Sequence, residues 1–372
     1  MPAKIASKVS TVSPQAVPSG SVLPQWNALA APIAVAVDIG NSSTIGAVGD
    51  RHVLIPSALL AATHRTEIPT DDGSVLLHIE GDAPQSWLIG NMAIAAAPTS
   101  HEKVVSRTDG KIHYALPLVL SQLALLFPDT AEIAPDVLVV ALPDAQVLGV
   151  KLREKLQGTH AITTNGRKIQ VVIDRVEVIE EGRGALLHAV NQGAIAAQVV
   201  THSTALVLDL GGGTTLISAA ARGKFLPESR FVIQSGVYAL WREIAQDSDP
   251  DMIRARTLEY GDPAAVARSF ERGIDSLGRV EYLKTGIDLM GSYRRAFGPW
   301  LQATVATALN QAKQWRDSAE VILVGGGGAM LPGLVGALRQ SDVGSKIVLC
   351  PQPRIANALG MAAYGQTLIG GR

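Results

Sequence analysis

The sequence predicts an α/β protein built from two duplicated halves that face each other across a cleft. Three observations carry this expectation. Short continuous aliphatic runs alternate with helical segments along 372 residues, a length that suits two cores better than one. One script is written twice: Val35-Ala36-Val37-Asp38-Ile39-Gly40 returns as Leu206-Val207-Leu208-Asp209-Leu210-Gly211. After each copy come small or hydroxyl residues and a second aliphatic strand, Ser43-Thr44-Ile45 in the first half and Thr214-Thr215-Leu216 in the second.

Taken in order, residues 1–32 read as a disordered tail rich in Ser, Pro, Ala and Val. They lack the apolar stretch of about 7–15 residues that a secretory signal requires. Residues 33–198 form the first half. Ile33–Val37 is a continuous aliphatic run, as expected of a strand covered on both faces, and Ile45–Val48 and His52–Ile55 extend it into a meander. Residues from about 61 to 113 mix short pieces such as Val75–Ile79 with Thr, Asp, Gly and Pro, and read as a small accessory subdomain. Asp136–Leu142 is a buried strand, Ala145–Gln157 a helix and Lys168–Ile179 a returning strand, a βαβ-type sequence. Glu180–Val200 has helical spacing of Ala185, Leu186, Ala189 and Val190.

The second half spans residues 199–355. It restarts at Thr204–Leu210, turns mostly helical over about 235–315 with a polar break at Asp247–Asp251, and returns to a strand at Val321–Val324. Ile355–Tyr364 is a terminal Ala-rich helix, and residues 356–372 are expected to return to the first half. The chain ends eight residues beyond that helix, which argues against an appended substrate-binding domain.

Composition narrows the function. Basic side chains number 32 and acidic ones 33, leaving a net charge of −1 and no potential to hold a polyphosphate backbone without sequence preference. Direct nucleic-acid binding is therefore not expected; an adaptor would make any contact with DNA. The single cysteine, Cys350, excludes an internal disulfide and reads as a small core residue. The eight histidines show neither HxxxH nor HExxH spacing, against a histidine metal site. No apolar run reaches the roughly 18–20 residues that span a bilayer, and a cytoplasmic protein is expected.

The chemistry gathers at the two repeated turns. The first is Asp38-Ile39-Gly40-Asn41-Ser42-Ser43-Thr44 and the second Asp209-Leu210-Gly211-Gly212-Gly213-Thr214-Thr215. Glycine lets backbone N–H groups approach phosphate oxygens, and Ser, Thr and Asn add side-chain donors. An aspartate at each strand end can hold Mg²⁺, commonly through water, beside those phosphates. A lone Asp-x-Gly is an ordinary turn; two in one frame make a phosphate clamp. A third segment, Val324-Gly325-Gly326-Gly327-Gly328-Ala329-Met330-Leu331-Pro332-Gly333, runs from a buried strand through glycines into a helix and leaves room for adenine and ribose. Neither GxxxxGK[ST] nor GxGxxG occurs at the required spacing, against the P-loop and dinucleotide-binding folds.

This order of motifs resembles the actin-like ATPase superfamily of actin, DnaK-type chaperones and sugar kinases, over the stretch from Ile33 to the C-terminus. It is most similar to bacterial plasmid-segregation actins of the ParM/StbA type. The resemblance implies two ribonuclease H-like α/β domains with a nucleotide cleft between them. It makes Asp38–Val48 the first phosphate motif, Asp209–Ser218 the second and Leu323–Gly333 the adenosine motif. Val178–Gly182 and Arg354–Gly360 resemble the two connecting segments. Carried over residue by residue, Gly40, Asn41, Ser42, Ser43, Thr44, Gly211, Gly212, Gly213 and Thr214 contact phosphate, and Gly325, Gly326, Gly327 and Met330 the adenosine. Asp38 and Asp209 stand beside Mg²⁺. Glu181 orients the attacking water, with Glu180 as the alternative, and Asp209 assists it. The family often has a lysine where this chain has Ile45, so a phosphate contact of that kind is in question.

The function expected from the resemblance is ATP hydrolysis coupled to self-association into filaments, serving plasmid or DNA segregation through a DNA-binding adaptor. GTP in place of ATP is left open. Two other classes compete on the same fold. A small-molecule kinase would need an acid near the acceptor hydroxyl, for which only Asp144 and Asp174 offer themselves. A scaffold switched by ATP would not polymerise.

Overall fold

The computed structural model describes residues 32–370 apart from 64–65, 72, 99, 105–108 and 260–261. The tail expected at 1–32 therefore lies, but for Pro32, outside the described residues.

The first repeat opens the fold as a hairpin of β1 (Ala34–Ile39) and β2 (Ser43–Val48), continued by β3 (Arg51–Pro56). The chain then leaves for a second sheet through β4 (Ala58–Ala61), β5 (Ser74–Ile79), β6 (Gln85–Gly90), the short helix α1 (Asn91–Ala96) and β7 (Glu102–Lys103). A four-residue helix, α2 (Gly110–His113), leads through Tyr114 into α3 (Ala115–Leu126). Helix α3 reads ALPLVLSQLALL, apolar nearly all round, and is accordingly buried in one core shared by the two sheets. Its one amide, Gln122, is fully buried and clamps β2: it accepts from Gly46 N at 2.9 Å and donates to Thr44 O at 3.0 Å.

After the two-residue strand β8 (Glu132–Ile133), β9 (Val137–Leu142) returns to the first sheet beside β1, parallel to it and buried at every position. Helix α4 (Ala145–Leu156) follows, N-capped by Asp144, whose Oδ1 accepts from Val147 N at 3.2 Å. The expected single strand over Lys168–Ile179 is corrected here. The chain makes a hairpin of β10 (Gly158–Thr164) and β11 (Arg167–Ile173) in the second sheet, turns at Asp174-Arg175, and enters the first sheet as β12 (Val176–Glu180). The two pieces differ in burial because they lie in different layers: β11 alternates, while β12 is covered on both faces at Val178 and Ile179. The second sheet thus runs β7-β4-β6-β5-β10-β11-β8 and draws on residues well beyond 61–113; the first runs β12-β9-β1-β2-β3. Glu180–Val200, expected as one helix, is two: α5 (Arg183–Asn191) and α6 (Ala197–His202), separated by a turn with Gly193 at φ +70°.

The second repeat rebuilds the first sheet. β13 (Thr204–Leu210) and β14 (Thr215–Ala221) form the hairpin, and β15 (Lys224–Phe225) and β16 (Phe231–Ile233) both pair with β14. The helical part comprises α7 (Val237–Ala245), α8 (Pro250–Glu259), α9 (Pro263–Glu271), α10 (Met290–Trp300), α11 (Thr307–Gln311) and α12 (Lys313–Ser318). It is less continuous than expected: residues 272–289 are irregular apart from a bridge between Glu281 and Asp288. Pro299 lies inside the last turn of α10, and the chain continues as a π-helix over Leu301–Ala306. β17 (Val321–Gly325), α13 (Leu334–Arg339) and β18 (Ile347–Leu349) complete a sheet in the order β15-β14-β13-β17-β18.

The duplication holds at the level of register. β1 pairs antiparallel with β2 and parallel with β9, and β13 pairs antiparallel with β14 and parallel with β17. Asp38 lies opposite Ile45, and Asp209 opposite Leu216.

The two halves exchange helices. α5 covers the third sheet, with Ala185, Leu186 and Ala189 against Val207, Val321 and Leu323. The terminal helix α14 (Ala356–Gly370) covers the first sheet, with Ala358, Met361 and Ala362 against Ala36, Ala47 and Val139. It extends six residues past the expected Tyr364 because Leu368 and Ile369 still reach that layer. The helices α5 and α14 cross beneath the cleft, where Ala185 N donates to Asn357 Oδ1 at 3.3 Å.

Candidate active site

Each hairpin delivers its aspartate at the end of a central strand, where parallel neighbours on one side and the hairpin on the other hold the backbone. The tips of the two hairpins meet. Asn41 Nδ2 donates to Thr214 Oγ1 at 3.4 Å, and a Cβ on Gly212 would fall 1.7 Å from Ser42 Oγ. Only a glycine backbone permits that approach. The second tip is fixed from behind by the start of α7: Val237 N donates to Gly211 O at 3.0 Å, and Tyr238 N to Gly212 O at 2.8 Å. Gly236, which sequence reading missed, makes this possible, since a Cβ there would stand 2.5 Å from both carbonyl oxygens.

The first tip is tied by Ser57, another residue without a sequence signal. Its hydroxyl donates to Gly40 O at 2.7 Å and pairs with Thr44 Oγ1 at 2.8 Å. Thr44 is fully buried, so its hydroxyl is committed to the hairpin and turned from the cleft. This corrects the expectation of a Thr44 side-chain contact to phosphate. Asn41, Ser42, Ser43 and Thr214 remain accessible at the two tips. Ile45 is buried against α14, so no cation stands at that position.

The third segment closes one side. Gly325 is a buried strand residue paired with Asp209. Gly326, at φ +77°, brings the backbone so near that a Cβ would lie 2.3 Å from Asp209 Oδ1. Gly327 faces open space, and Met330 is 65 % exposed at the rim.

The acids converge on one cation that the sequence did not advertise. Lys111, on α2, forms an ion pair with Glu181, their side chains 18 % and 12 % exposed. Burial lowers the Lys111 pKa, and the charges of Asp38 and Asp209 oppose that shift. Burial pushes Asp209 up to about 6, with Asp38 adding to the rise and Lys111 opposing it. Asp38 is likewise raised by burial, against Lys111 and a hydrogen bond from Asn357. Glu181 follows β12 directly and is held by its N–H to Leu142 O at 3.0 Å. Glu180 is directed elsewhere, to Arg183 at 3.5 Å. Of the two candidate acids, Glu181 is the one that shares a cluster with Asp38 and Asp209. Asp144 serves as a helix cap and Asp174 sits in the β11–β12 turn, so neither joins it.

The donor set suits a hard cation bound to phosphates. Two carboxylates whose proton affinity is raised by burial, that of Asp209 further by the Asp38 charge, gain from a divalent charge between them. Among the described residues, no group of three or more His, Cys, Asp or Glu is placed to hold a metal. Cys350 is buried, and burial pushes its thiol up to about 12. A separate cavity of 660 Å³ between α7 and α10, lined by Glu243, Asp247, Arg295, Trp300 and Thr304, includes no hairpin residue.

Comparison with known proteins agrees with this fold. Residues 36–184, from the first hairpin through Glu181, match the N-terminal domain of actin-like proteins. Among solved structures, the actin-like protein Alp7A superposes with a TM-score of 0.71 at 15% identity, covering 92% of this chain and 98% of its own. The fold is actin-like. An archaeal actin homologue, Ta0583, solved as a complex with ADP, superposes at 0.66 with 18% identity over 90% of this chain and 99% of its own. A ParM subunit from a 15-stranded filament of Clostridium botulinum superposes at 0.65 with 17% identity over 90% and 99%. No curated protein matches. Among the described residues, no helix of this actin-like chain is long and apolar enough to cross a membrane.

Proposed function

We propose that this actin-like chain binds and hydrolyses ATP with Mg²⁺ in the cleft and polymerises into dynamic filaments in the cytoplasm. Segregation of plasmid or other DNA through a DNA-binding adaptor is the cellular task that fits. One observation carries the reading: two Asp-Gly hairpins from duplicated halves touch at their tips, with Asp38, Asp209 and Glu181 gathered around one lysine. The ADP complex of the archaeal homologue and the ParM filament support it.

In this reading the glycines of both tips let backbone N–H groups reach phosphate oxygens, and Asn41, Ser42, Ser43 and Thr214 add donors. Mg²⁺, when bound, supplies charge neutralisation between the phosphates and the carboxylates. Asp38 and Asp209 hold its water ligands. Glu181 holds the attacking water and takes its proton, so the protein contributes alignment and charge more than covalent chemistry. Gly326, Gly327 and Met330 border the adenosine. The domains are taken as residues 33–198 and 199–355, with 356–372 returning to the first.

Filaments need a heterologous contact that does not close. ATP can drive their turnover only by binding one conformation more tightly than the other. The test is light scattering and phosphate release recorded together with Mg²⁺ and ATP. A scattering rise that needs ATP and decays as phosphate accumulates is expected. Phosphate release with flat scattering over a wide concentration range would overturn the filament and leave an ATP-switched scaffold. Release that depends on an added hydroxyl compound would indicate a kinase.

A further inference from the structure

We propose that Lys111 reads the terminal phosphate of the nucleotide: it exchanges Glu181 for the phosphate oxygens and so frees the Glu181 carboxylate to hold the attacking water. The inference rests on the nucleotide reading of the cleft and adds a residue and an order of events to it.

Neither phosphate hairpin contains a Lys or Arg between Asp38 and Val48 or between Asp209 and Ala221. The cation in the cluster comes instead from α2, in a part of the chain that belongs to neither repeat. Lys111 is ion-paired with Glu181 while Asp38 and Asp209 act on it electrostatically. A carboxylate engaged by an ammonium is a weak acceptor for a water proton, so the Lys111–Glu181 pair holds the hydrolytic acid out of use. The end of the nucleotide that reacts is the end next to Glu181. A terminal phosphate there competes directly for Lys111, with more charge and more acceptor oxygens than one carboxylate offers.

The position of α2 gives the exchange a mechanical outlet. The next residue but two after Lys111 is Tyr114, whose hydroxyl donates to Glu102 of β7 at 2.6 Å and whose ring stands edge-on to Trp87 of β6 at 6.1 Å. Beside Glu102, Lys103 lies 5.7 Å over the ring of Tyr238 on α7, in the other half. A shift of Lys111 toward phosphate therefore pulls on the edge of the second sheet and on its contact across the cleft.

The experiment measures ATP and ADP dissociation constants by equilibrium titration of the full chain, with Mg²⁺, for the wild type and for Lys111→Met, Lys111→Arg, Glu181→Gln and the Met/Gln double variant. Lys111→Met is expected to weaken ATP by about tenfold or more, the worth of one charge-assisted hydrogen bond, and ADP far less. Lys111→Arg keeps most of the preference for ATP. Glu181→Gln removes the competitor and tightens ATP by about threefold, and the gain disappears in the double variant, as coupled residues require. Equal weakening of ATP and ADP by Lys111→Met, or no effect of Glu181→Gln on ATP, would overturn the proposal while leaving the nucleotide site standing. Failure of the wild type to bind either nucleotide would overturn the site itself.

Discussion

A Cβ placed on Gly360 would lie 1.8 Å from the carbonyl oxygen of Gly184, so α14 and α5 meet backbone to backbone where they cross. Each of these helices covers the sheet of the other half, and the crossing is the seam between them. Alanine in a helix is ordinarily a stabilising exchange for glycine. Here Gly360→Ala should destabilise by about 1–3 kcal/mol, the cost of forcing a packed contact apart. Urea unfolding monitored by circular dichroism checks the sign; a gain in stability would mean that the helices are not in contact.

The catalytic assignment separates binding from turnover. Asp209→Ala should abolish hydrolysis, and unchanged turnover would remove Asp209 from the site. Glu181→Ala should retain nucleotide while phosphate release falls by about 10²-fold or more, the usual worth of a positioned base. Equal loss of binding and turnover would give Glu181 a structural role instead.

The contact between the hairpin tips can be tested by overfilling it. Gly212→Ala places a methyl on Ser42 and should weaken nucleotide binding by about tenfold or more through displaced donors. Adding Ser42→Gly removes the obstruction and should restore much of the affinity. No recovery would indicate that the tips are not apposed.

A pH effect should come from His188 on α5. Its ring is 5 % exposed, Nε2 has no hydrogen-bond partner, and burial lowers its pKa below 6.5 against the opposing effects of Asp50 and Gln352. A histidine with a depressed folded pKa is protonated first in the unfolded chain. Its contribution to stability is therefore complete above pH 6.5 and falls as the pH drops from there toward the folded value. His188→Gln should lose less melting temperature than the wild type between pH 7.5 and 5.5. Parallel curves for the two proteins would count against it.

The hairpins were legible because their strands are buried on both faces and so read as unbroken aliphatic runs ending in Asp-x-Gly. That signal showed the repeat of Asp38-Ile39-Gly40 in Asp209-Leu210-Gly211, and the two hairpins share a register. It could not say which way each side chain turns, and that of Thr44 turns into the structure against Ser57. Lys111 left no trace, because its segment, Asp109-Gly110-Lys111-Ile112-His113, has no periodicity and reaches the cleft only through tertiary packing. The β11–β12 break was hidden for a different reason: aliphatic residues stand on both sides of Asp174-Arg175, and only the layer each half enters distinguishes them.

The second sheet has a consequence for synthesis on the ribosome. Its middle pair joins β5 to β10, with Ile79 beside Ile162. Roughly eighty residues must be translated between those partners, on the order of ten seconds at cellular elongation rates. Until then β5 shows a nascent chain's bare hydrogen-bonding edge, carrying Val75, Leu77 and Ile79, to its surroundings. Neighbouring polysomal chains would find each other there first, so dense expression is the condition under which this protein should misassemble, and slowed initiation the remedy.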